Sequence, residues 1–350
     1  MRPGRSVGAV PSRSPVLTLE DVARGAPLDL DLDADGRPGR PLVVIDLDAP
    51  GDARGPARLD AAVPVVVGVT RGGGDAAGGE ACDLVLCAAA PLTRAAIGPV
   101  DLDRTTASLE ATIARAPRAA VALAALLRQT TVLDVRRGLL AESATYSTLL
   151  AGPEFAGWLH TRDAALRAPD PTQPLRVERD GEVLRLTLTR PRRRNAVTAA
   201  LRDALVDALA IAHADPSVTV EIDAEGPDFS TGGDLDEFGT ALDVATAHVV
   251  RSDRSVGWAI HEIRERVRVR MHGRAQGSGI EMPAFAGHIA AAGDATFSLP
   301  ELTLGLVPGA GGTVSITHRI GRWRAAWLAL TGSEIDAATA LAWGLIDAVA

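Results

Sequence analysis

The apolar positions in the N-terminal part of the chain fall in short continuous runs rather than at helical spacing. Three of these runs are rich in β-branched residues and have Gly, Pro or Asp at their borders, as buried strands do. They are PLVVIDLD from Pro41, VPVVVGVT from Val63 and DLVLC from Asp83. They predict a small α/β region at 41–103. The segment 1–40, rich in Pro, Gly and Asp, is expected to be only partly ordered.

The spacing of apolar residues becomes helical after this region. A helical pattern covers 104–128, and Pro117 is expected to break or kink it because proline lacks the N–H that a helix interior needs. A second helix is predicted at about 133–150, and a short third helix follows it. A helical segment therefore occupies 104–167, and the three prolines within 168–174 indicate a linker.

Strand and helix patterns alternate in the rest of the chain. EVLRLTLTR alternates apolar and polar residues from Glu182, as a half-buried strand does. A helix is predicted at about 198–214, where leucines recur on one face, and VTVEIDAEG and RVRVRMHG predict two more strands. Alternation of this kind indicates a layered α/β domain, which we place at 175–350.

The composition narrows the possible functions. With 350 residues, 47% of them hydrophobic and 23% charged, the chain has the make-up of a soluble globular protein. Its net charge of −8 argues against a broad nucleic-acid-binding face. Its two cysteines, Cys82 and Cys87, are too few for a disulfide framework, and no His/Cys/Asp group has the spacing of metal ligands. No segment has the roughly 20 apolar residues of a membrane-spanning helix and the N-terminus is unlike a signal peptide, so we expect a cytoplasmic protein without membrane partners.

Two glycine-rich stretches contain backbone amides that could bind a ligand. FSTGGD, from Phe229, lies where a strand gives way to a helix, and its paired glycines leave amides that a ligand oxygen can approach closely. HGRAQGSGIE, from His272, leads from a strand into a helix N-terminus, where free N–H groups can stabilise an oxyanion. Glu281, at the end of this stretch, equally suits an acidic residue that complements the helix dipole.

A third stretch, FSLPELTLGLVPGAGGT from Phe297, places Glu301 among apolar neighbours. A carboxyl group flanked by leucine and proline should be partly desolvated, which raises its pKa toward the range useful for proton transfer near neutral pH. An isolated glutamate after proline is more often a surface residue, so this stretch alone leaves both interpretations open.

Together, these stretches resemble the motifs of the enoyl-CoA hydratase/isomerase (crotonase) superfamily over about 175–350. TRPRRRNAV is similar to N-x-P-x-x-x-N-A-L, FSTGGDLDEF to F-x-x-G-A-D-L-x-E, GRAQGSGIEM to G-x-A-x-G-G-G-x-E, and FSLPELTLGLVPGAGGT to F-x-x-P-E-x-x-L-G-x-x-P-G-x-G-G-T. The segment from Ile320 resembles the one that closes the family's core. The resemblance implies an α/β fold, a crotonase-like stack of β–β–α units that binds an acyl-CoA thioester. Coenzyme A would be part of the substrate, and no separate cofactor is expected.

The resemblance also implies roles for individual residues. The backbone amides of Gly233 and Ser278 would form an oxyanion hole for the thioester carbonyl. Glu281 and Glu301 take the positions of the family's catalytic glutamates, which activate water for attack at C3 and deliver a proton to C2. Other residues implied to bind the acyl-CoA are Arg194, Ala196, Thr231, Gly233, Asp234, Leu235 and Ser278. The presence of both glutamates favours hydration of a 2-enoyl-CoA to a 3-hydroxyacyl-CoA. The alternatives are isomerase or other crotonase chemistry, and a non-catalytic acyl-CoA-binding subunit.

The sequence departs from the family pattern at three places. Ser278 replaces a glycine, and Asp236 replaces a lysine that meets coenzyme A phosphates in many members. The arginines at 192–194 are expected either to bind those phosphates or to form a solvated basic turn. The chain ends where members continue into C-terminal helices, and 104–166 resembles that tail. We expect these residues to act as the tail ahead of the core, with the strands at 41–87 as a remnant of an earlier crotonase-like half. Family members imply a homo-oligomer, a trimer or hexamer.

Overall fold

The computed structural model describes residues 14–52, 54–74, 77–162 and 173–350. Most of the predicted linker at 168–174 lies outside the described residues, as does the beginning of the segment 1–40. Within the described residues, no helix is long and apolar enough to cross a membrane.

A parallel sheet of five strands, paired in chain order, occupies the N-terminal region. Its strands are β1 (Val16–Thr18), β2 (Leu42–Asp46), β3 (Val65–Thr70), β4 (Leu84–Cys87) and β5 (Ala96–Ile97), with helices α1 (Leu19–Ala23) and α2 (Gly55–Asp60) and a 3-10 helix, Gly79–Ala81, between them. The three predicted strands are thereby confirmed as β2, β3 and β4. Both faces of this sheet are buried, which explains why its strands are continuous apolar runs.

Four helices follow this sheet and cover the C-terminal half. They are α3 (Leu102–Arg115), α4 (Pro117–Thr130), α5 (Val135–Leu150) and α6 (Pro153–Thr161). The predicted break is confirmed: α3 ends before Ala116, and Pro117 becomes the first residue of α4, where its missing N–H has no intrahelical partner to lose. These helices lie within the segment predicted at 104–167, although the division of the chain into domains stays a prediction.

The C-terminal half contains two further sheets. The strands are β6 (Leu175–Asp180), β7 (Val183–Leu188), β8 (Thr219–Ala224), β9 (Val267–Met271), β10 (Arg274–Gln276), β11 (His288–Ala291), β12 (Thr296–Ser298), β13 (Ile335–Asp336) and β14 (Ala348–Val349). One sheet has the order β14-β11-β9-β8-β7-β6 and the other has the order β10-β12-β13. From β9 onward, the successive strand pairs β9/β10, β11/β12 and β13/β14 each place one strand in each sheet, with helices between the pairs, as in a stack of β–β–α units. The predicted α/β class is confirmed.

Helices pack around this stack. They are α7 (Ala199–Ala214), α8 (Val244–Asp253), α9 (Val256–Glu262), α10 (Ser278–Glu281), α11 (Gly312–Ile320), α12 (Arg322–Thr331) and α13 (Ala337–Trp343), with 3-10 helices at Pro191–Arg193, Arg264–Arg266, Pro283–Phe285 and Glu301–Leu304. Helix α4 packs on α11 and α12, and α5 packs on α8 and α11. One buried apolar cluster includes residues from the N-terminal sheet, these helices and the C-terminal sheets, so all three regions share a hydrophobic core.

The pairing of the smaller sheet brings the three glycine-rich stretches together. Ser230 forms a parallel bridge with Ala275 on β10, and Ala275 pairs in turn with Phe297 on β12. Because parallel neighbours run in the same direction, the residues that follow each of these positions emerge at the same edge of the sheet. Amides from two of the stretches and a glutamate from the third therefore converge on one place.

Candidate functional site

Two glutamates face each other across the backbone of Gly277. Glu281 ends α10 and is 2% exposed, and its Oε2 accepts hydrogen bonds from the N–H groups of Ala310 and Gly312 at 2.7 and 3.0 Å. Glu301 begins the 3-10 helix after β12, and its Oε2 is buried with no hydrogen-bond partner among the described residues. A Cβ atom built on Gly277 would stand 2.5 Å from Glu301 Oε1 and 3.8 Å from Glu281 Oε1. The two carboxyl groups therefore flank one small space.

Burial shifts the pKa of both carboxyl groups upward. It raises the pKa of Glu281 to about 7, although the N–H groups that donate to this carboxylate act in the opposite direction. Burial, and then the charge of Glu281, raise the pKa of Glu301 well above its usual value. Because Glu281 accepts two N–H groups and Glu301 Oε2 accepts none, ionisation is easier at Glu281. The pair therefore suits one base and one acid.

Two backbone amides beside these glutamates are without an acceptor. A parallel bridge between Val197 and Gly233 uses the N–H of Asp234 and the carbonyl of Gly232, which turns the N–H of Gly233 away from Val197. Ser278 is the first residue of α10, where an N–H has no intrahelical partner. Neither N–H donates to an acceptor in the part of the chain that the structure describes. Both are available to a ligand oxygen.

A single cavity of about 280 Å³ joins these groups. Glu281, Glu301, Gly233 and Ser278 all line it, together with Asp234. Its remaining walls come largely from α5, the start of α7, the loop at 233–241 and residues 247–256, and they include both apolar side chains and arginines. Among them are Leu139, Glu142, Tyr146, Arg202, Phe238, Arg251 and Val256. The structure thus brings together both predicted glutamates and both predicted amides.

Sequence reasoning assigned no role to Glu142, Tyr146 or Arg251. Glu142 and Tyr146 lie four residues apart on α5, and the guanidinium of Arg251 stacks over the Tyr146 ring at 4.8 Å from its centroid. Burial raises the pKa of the Tyr146 hydroxyl. For Glu142 and Tyr146, the signal that could have found them was their helical spacing in a segment that resembles the family's tail.

Four of the residues implied to bind acyl-CoA do not line this cavity: Arg194, Ala196, Thr231 and Leu235. Arg194 is exposed at a backbone φ of +51°, and its carbonyl accepts the N–H of Thr231 at 3.1 Å. Leu235 is also exposed. Their contacts with an acyl-CoA stay predictions.

Asn195 shapes the turn that carries these residues. Its side chain is buried, accepts the N–H of Arg190 at 2.9 Å, and donates to the carbonyls of Glu225 and Asp228 at 2.8 and 2.9 Å. The Ser230 hydroxyl donates to the Asn195 carbonyl at 2.8 Å. The Asn in the NAV sequence therefore joins the turn to the strand end that precedes Gly233.

Asp236, which stands at the position of the family's lysine, lies between two arginines. Its carboxylate pairs with Arg162 at 3.2 Å and with Arg193 at 3.3 Å. Arg192 and Arg194 remain exposed. The two interpretations of this basic turn, a phosphate site and a solvated surface, both stay open.

Within the described residues, no group of three or more His, Cys, Asp or Glu side chains could hold a metal ion. His272 instead contacts the Gly226 carbonyl at 2.9 Å through Nε2.

Comparison with known proteins places this site in a family. Residues 178–350 match the sequence model of the enoyl-CoA hydratase/isomerase family. The chain is 36% identical over 175 residues to the 2,3-dehydroadipyl-CoA hydratase of Escherichia coli (strain K12), and the match covers 49% of this chain and 68% of that protein. It is 35% identical over 182 residues to the cyclohexa-1,5-dienecarbonyl-CoA hydratase of Thauera aromatica, covering 51% and 69%. The crystal structure of enoyl-CoA hydratase from Thermoplasma volcanium GSS1 aligns with a TM-score of 0.47 and 30% identity, covering 51% of this chain and 72% of that one. The chain belongs to the enoyl-CoA hydratase/isomerase family.

Proposed function

We propose that the protein hydrates a 2-enoyl-CoA to the corresponding 3-hydroxyacyl-CoA, with Glu281 as the base and Glu301 as the acid. One observation carries this proposal: two amides that have no acceptor among the described residues line the same cavity as the buried carboxyl group of Glu281 and the carboxyl group of Glu301, whose Oε2 is buried. Relatives named as hydratases support the reaction type. Coenzyme A as part of the substrate, the absence of another cofactor and a homo-oligomeric assembly belong to the same proposal.

The amides of Gly233 and Ser278 would hold the thioester oxygen. As water adds at C3, electron density moves through C2 onto that oxygen, which becomes an enolate. Fixed N–H dipoles stabilise this charge more than they stabilise the neutral carbonyl, so they lower the barrier. Removal of one such donor typically raises the activation free energy by about 2.7–4 kcal/mol.

The two glutamates would divide the proton transfers. Glu281, whose ionised form is favoured by two N–H donors, takes a proton from water as the water oxygen bonds to C3. Glu301, which lacks such donors on Oε2 and holds its proton more tightly, protonates C2 of the enolate. The elements of water are then added, and exchange of protons with solvent restores both carboxyl groups.

The assay is the loss of conjugated-thioester absorbance when crotonyl-CoA is mixed with wild type, Glu281→Gln or Glu301→Gln. We expect each variant to lose about 10²–10⁴-fold in kcat, because each removes one proton-transfer group. Glu237→Gln is the matched control, since Glu237 also lines the cavity but its carboxylate accepts the N–H of Ala199 at 2.8 Å.

The outcomes separate the alternatives. Wild-type activity in both glutamine variants would refute the acid–base assignment. Conversion of a 3-enoyl-CoA to the conjugated isomer without hydration would favour an isomerase. Tight binding of crotonyl-CoA without any turnover by the wild type would favour a binding subunit.

A further inference from the structure

A glycine turn at 309–313 lies between two buried carboxylates. Its N–H groups alternate between Glu281 of the core and Glu142 of α5. Ala310 and Gly312 donate to Glu281 Oε2 at 2.7 and 3.0 Å, whereas Gly311 and Thr313 donate to Glu142 Oε1 and Oε2 at 2.6 and 2.8 Å. The position of one carboxylate is therefore tied to the position of the other.

Burial of the Glu142 carboxyl group costs free energy that packing alone does not recover. Glu142 is 1% exposed, and the hydroxyl of Thr313 donates a third hydrogen bond to it at 2.7 Å. None of the ion pairs among the described residues includes it. Burying an ionised carboxylate without a counter-ion is strongly unfavourable, and an apolar side chain would pack at lower cost. The three hydrogen bonds that Glu142 accepts offset part of this cost. All three come from the glycine turn, so the turn is what Glu142 contacts.

Ionisable groups surround this pair of carboxylates. Tyr146 lies on α5, Arg251 and His248 lie on α8, and Glu301 lies across the cavity. Arg251 donates to the Oγ atoms of two serines on α5, and His248 bonds to one of the same hydroxyls. Burial, and then the charge of Glu281, raise the pKa of Glu142 to about 8. The carboxyl groups therefore titrate as an interacting set rather than singly.

We propose that Glu142 is a positioning residue, which holds the glycine turn so that Glu281 faces the reacting carbons. This inference rests on the proposed function. It gives the helices that precede the core a part in the chemistry: α5 closes the turn from the side opposite to Glu281. Glu142 acts through that turn, and it transfers no proton to the substrate.

Glu142→Gln tests the proposal. The glutamine has almost the same shape, but its NH₂ group must face a donor N–H of the turn, so the turn and Glu281 shift. We expect kcat to fall about 10–100-fold, because small displacements of reacting groups cause losses of this size, and we expect little change in KM. The alkaline limb of the pH–rate profile should move to lower pH, because an ionised Glu142 opposes loss of the proton on Glu301.

Glu154→Gln is the matched control. Glu154 on α6 also accepts two backbone N–H groups, of Arg118 and Ala119 at 2.9 and 3.0 Å, but it does not line the catalytic cavity. It should lower the melting temperature and leave both kcat and the pH profile unchanged. If Glu142→Gln behaves in the same way as this control, Glu142 is merely structural and the proposal is wrong.

A titration of the Glu281 carboxyl group, which requires no turnover, tests this inference separately from the proposed function. In protein labelled with ¹³C at glutamate side-chain carboxyls, Glu281→Gln identifies the Glu281 signal. We expect the titration midpoint of the Glu281 signal to shift in Glu142→Gln and to remain unchanged in Glu154→Gln. If the wild type fails to hydrate crotonyl-CoA while this shift is present, the proposed reaction is wrong and the coupling stands. An unchanged Glu281 titration would overturn the coupling whatever the activity.

Discussion

A methyl group at Gly277 would enter the space between the two glutamates. The backbone there has φ +50° and ψ −128°, a conformation that L side chains rarely adopt, and the added Cβ would stand 2.5 Å from Glu301 Oε1. Strain in such a backbone conformation is worth about 1–3 kcal/mol. Contact at that distance also forces the Glu301 carboxyl to move, because real Cβ atoms essentially never come within 3.0 Å of a non-bonded heavy atom.

We therefore expect Gly277→Ala to reduce both stability and activity. The free energy of unfolding, measured in urea, should fall by about 1–3 kcal/mol. The kcat for crotonyl-CoA should fall about 100-fold or more, because displacement of an acid by roughly 1 Å is enough for a loss of that size.

Gly181→Ala separates these two effects. Gly181 has a similar φ of +59°, in the β6–β7 turn, and a Cβ built there meets nothing within 4 Å. This variant should lose some stability and keep wild-type kcat. If Gly277→Ala retains wild-type kcat at a temperature where it is fully folded, the shared space between Glu281 and Glu301 is not where the reaction takes place.

Two further predictions concern stability. Asp83→Ala should lower the free energy of unfolding by about 3–5 kcal/mol in urea titrations, since it leaves Arg128 and Arg322 without their buried carboxylate. Asp52→Ala is the control and should change that free energy far less, because solvent screens the ion pair of Asp52 with the exposed Arg54. The melting temperature of Glu301→Gln should rise relative to that of wild type as the pH increases from about 5 to about 9. Because burial raises the pKa of Glu301 in the folded state, folding binds a proton, and that contribution to stability is lost as the pH rises through the folded-state pKa. A difference in melting temperature that is constant with pH would contradict this reasoning.

Local features were the most predictable part of the fold. The three central N-terminal strands, β2, β3 and β4, could be assigned from the sequence because a parallel sheet buried on both faces consists of continuous apolar runs, whereas the short edge strands β1 and β5 were not predicted. The break at Pro117 followed from proline chemistry alone. The convergence of Glu281 and Glu301 was expected from the family resemblance, because composition and spacing do not say which strands of two sheets become neighbours.

Contacts between distant segments were beyond sequence reasoning. Glu142 precedes Gly311 by 169 residues, and nothing in either segment indicates that they meet. Asp236 looked like the loss of a phosphate-binding charge, whereas the structure places it between Arg162 and Arg193. Such pairings depend on how helices pack across the core, and an apolar pattern describes only which face of a helix is buried.

A segment that precedes the core in sequence can still contribute side chains to the candidate site. Helix α5 precedes the core in sequence, yet Glu142 on this helix and Glu281 accept N–H groups of the same turn, so we expect a change in that helix to displace Glu281. Three buried carboxyl groups in one cluster oppose folding, because each is harder to ionise than in water. The proposed function gives this cluster a purpose, because Glu281 and Glu301 flank the space beside Gly277 and Glu142 would hold the turn that orients Glu281.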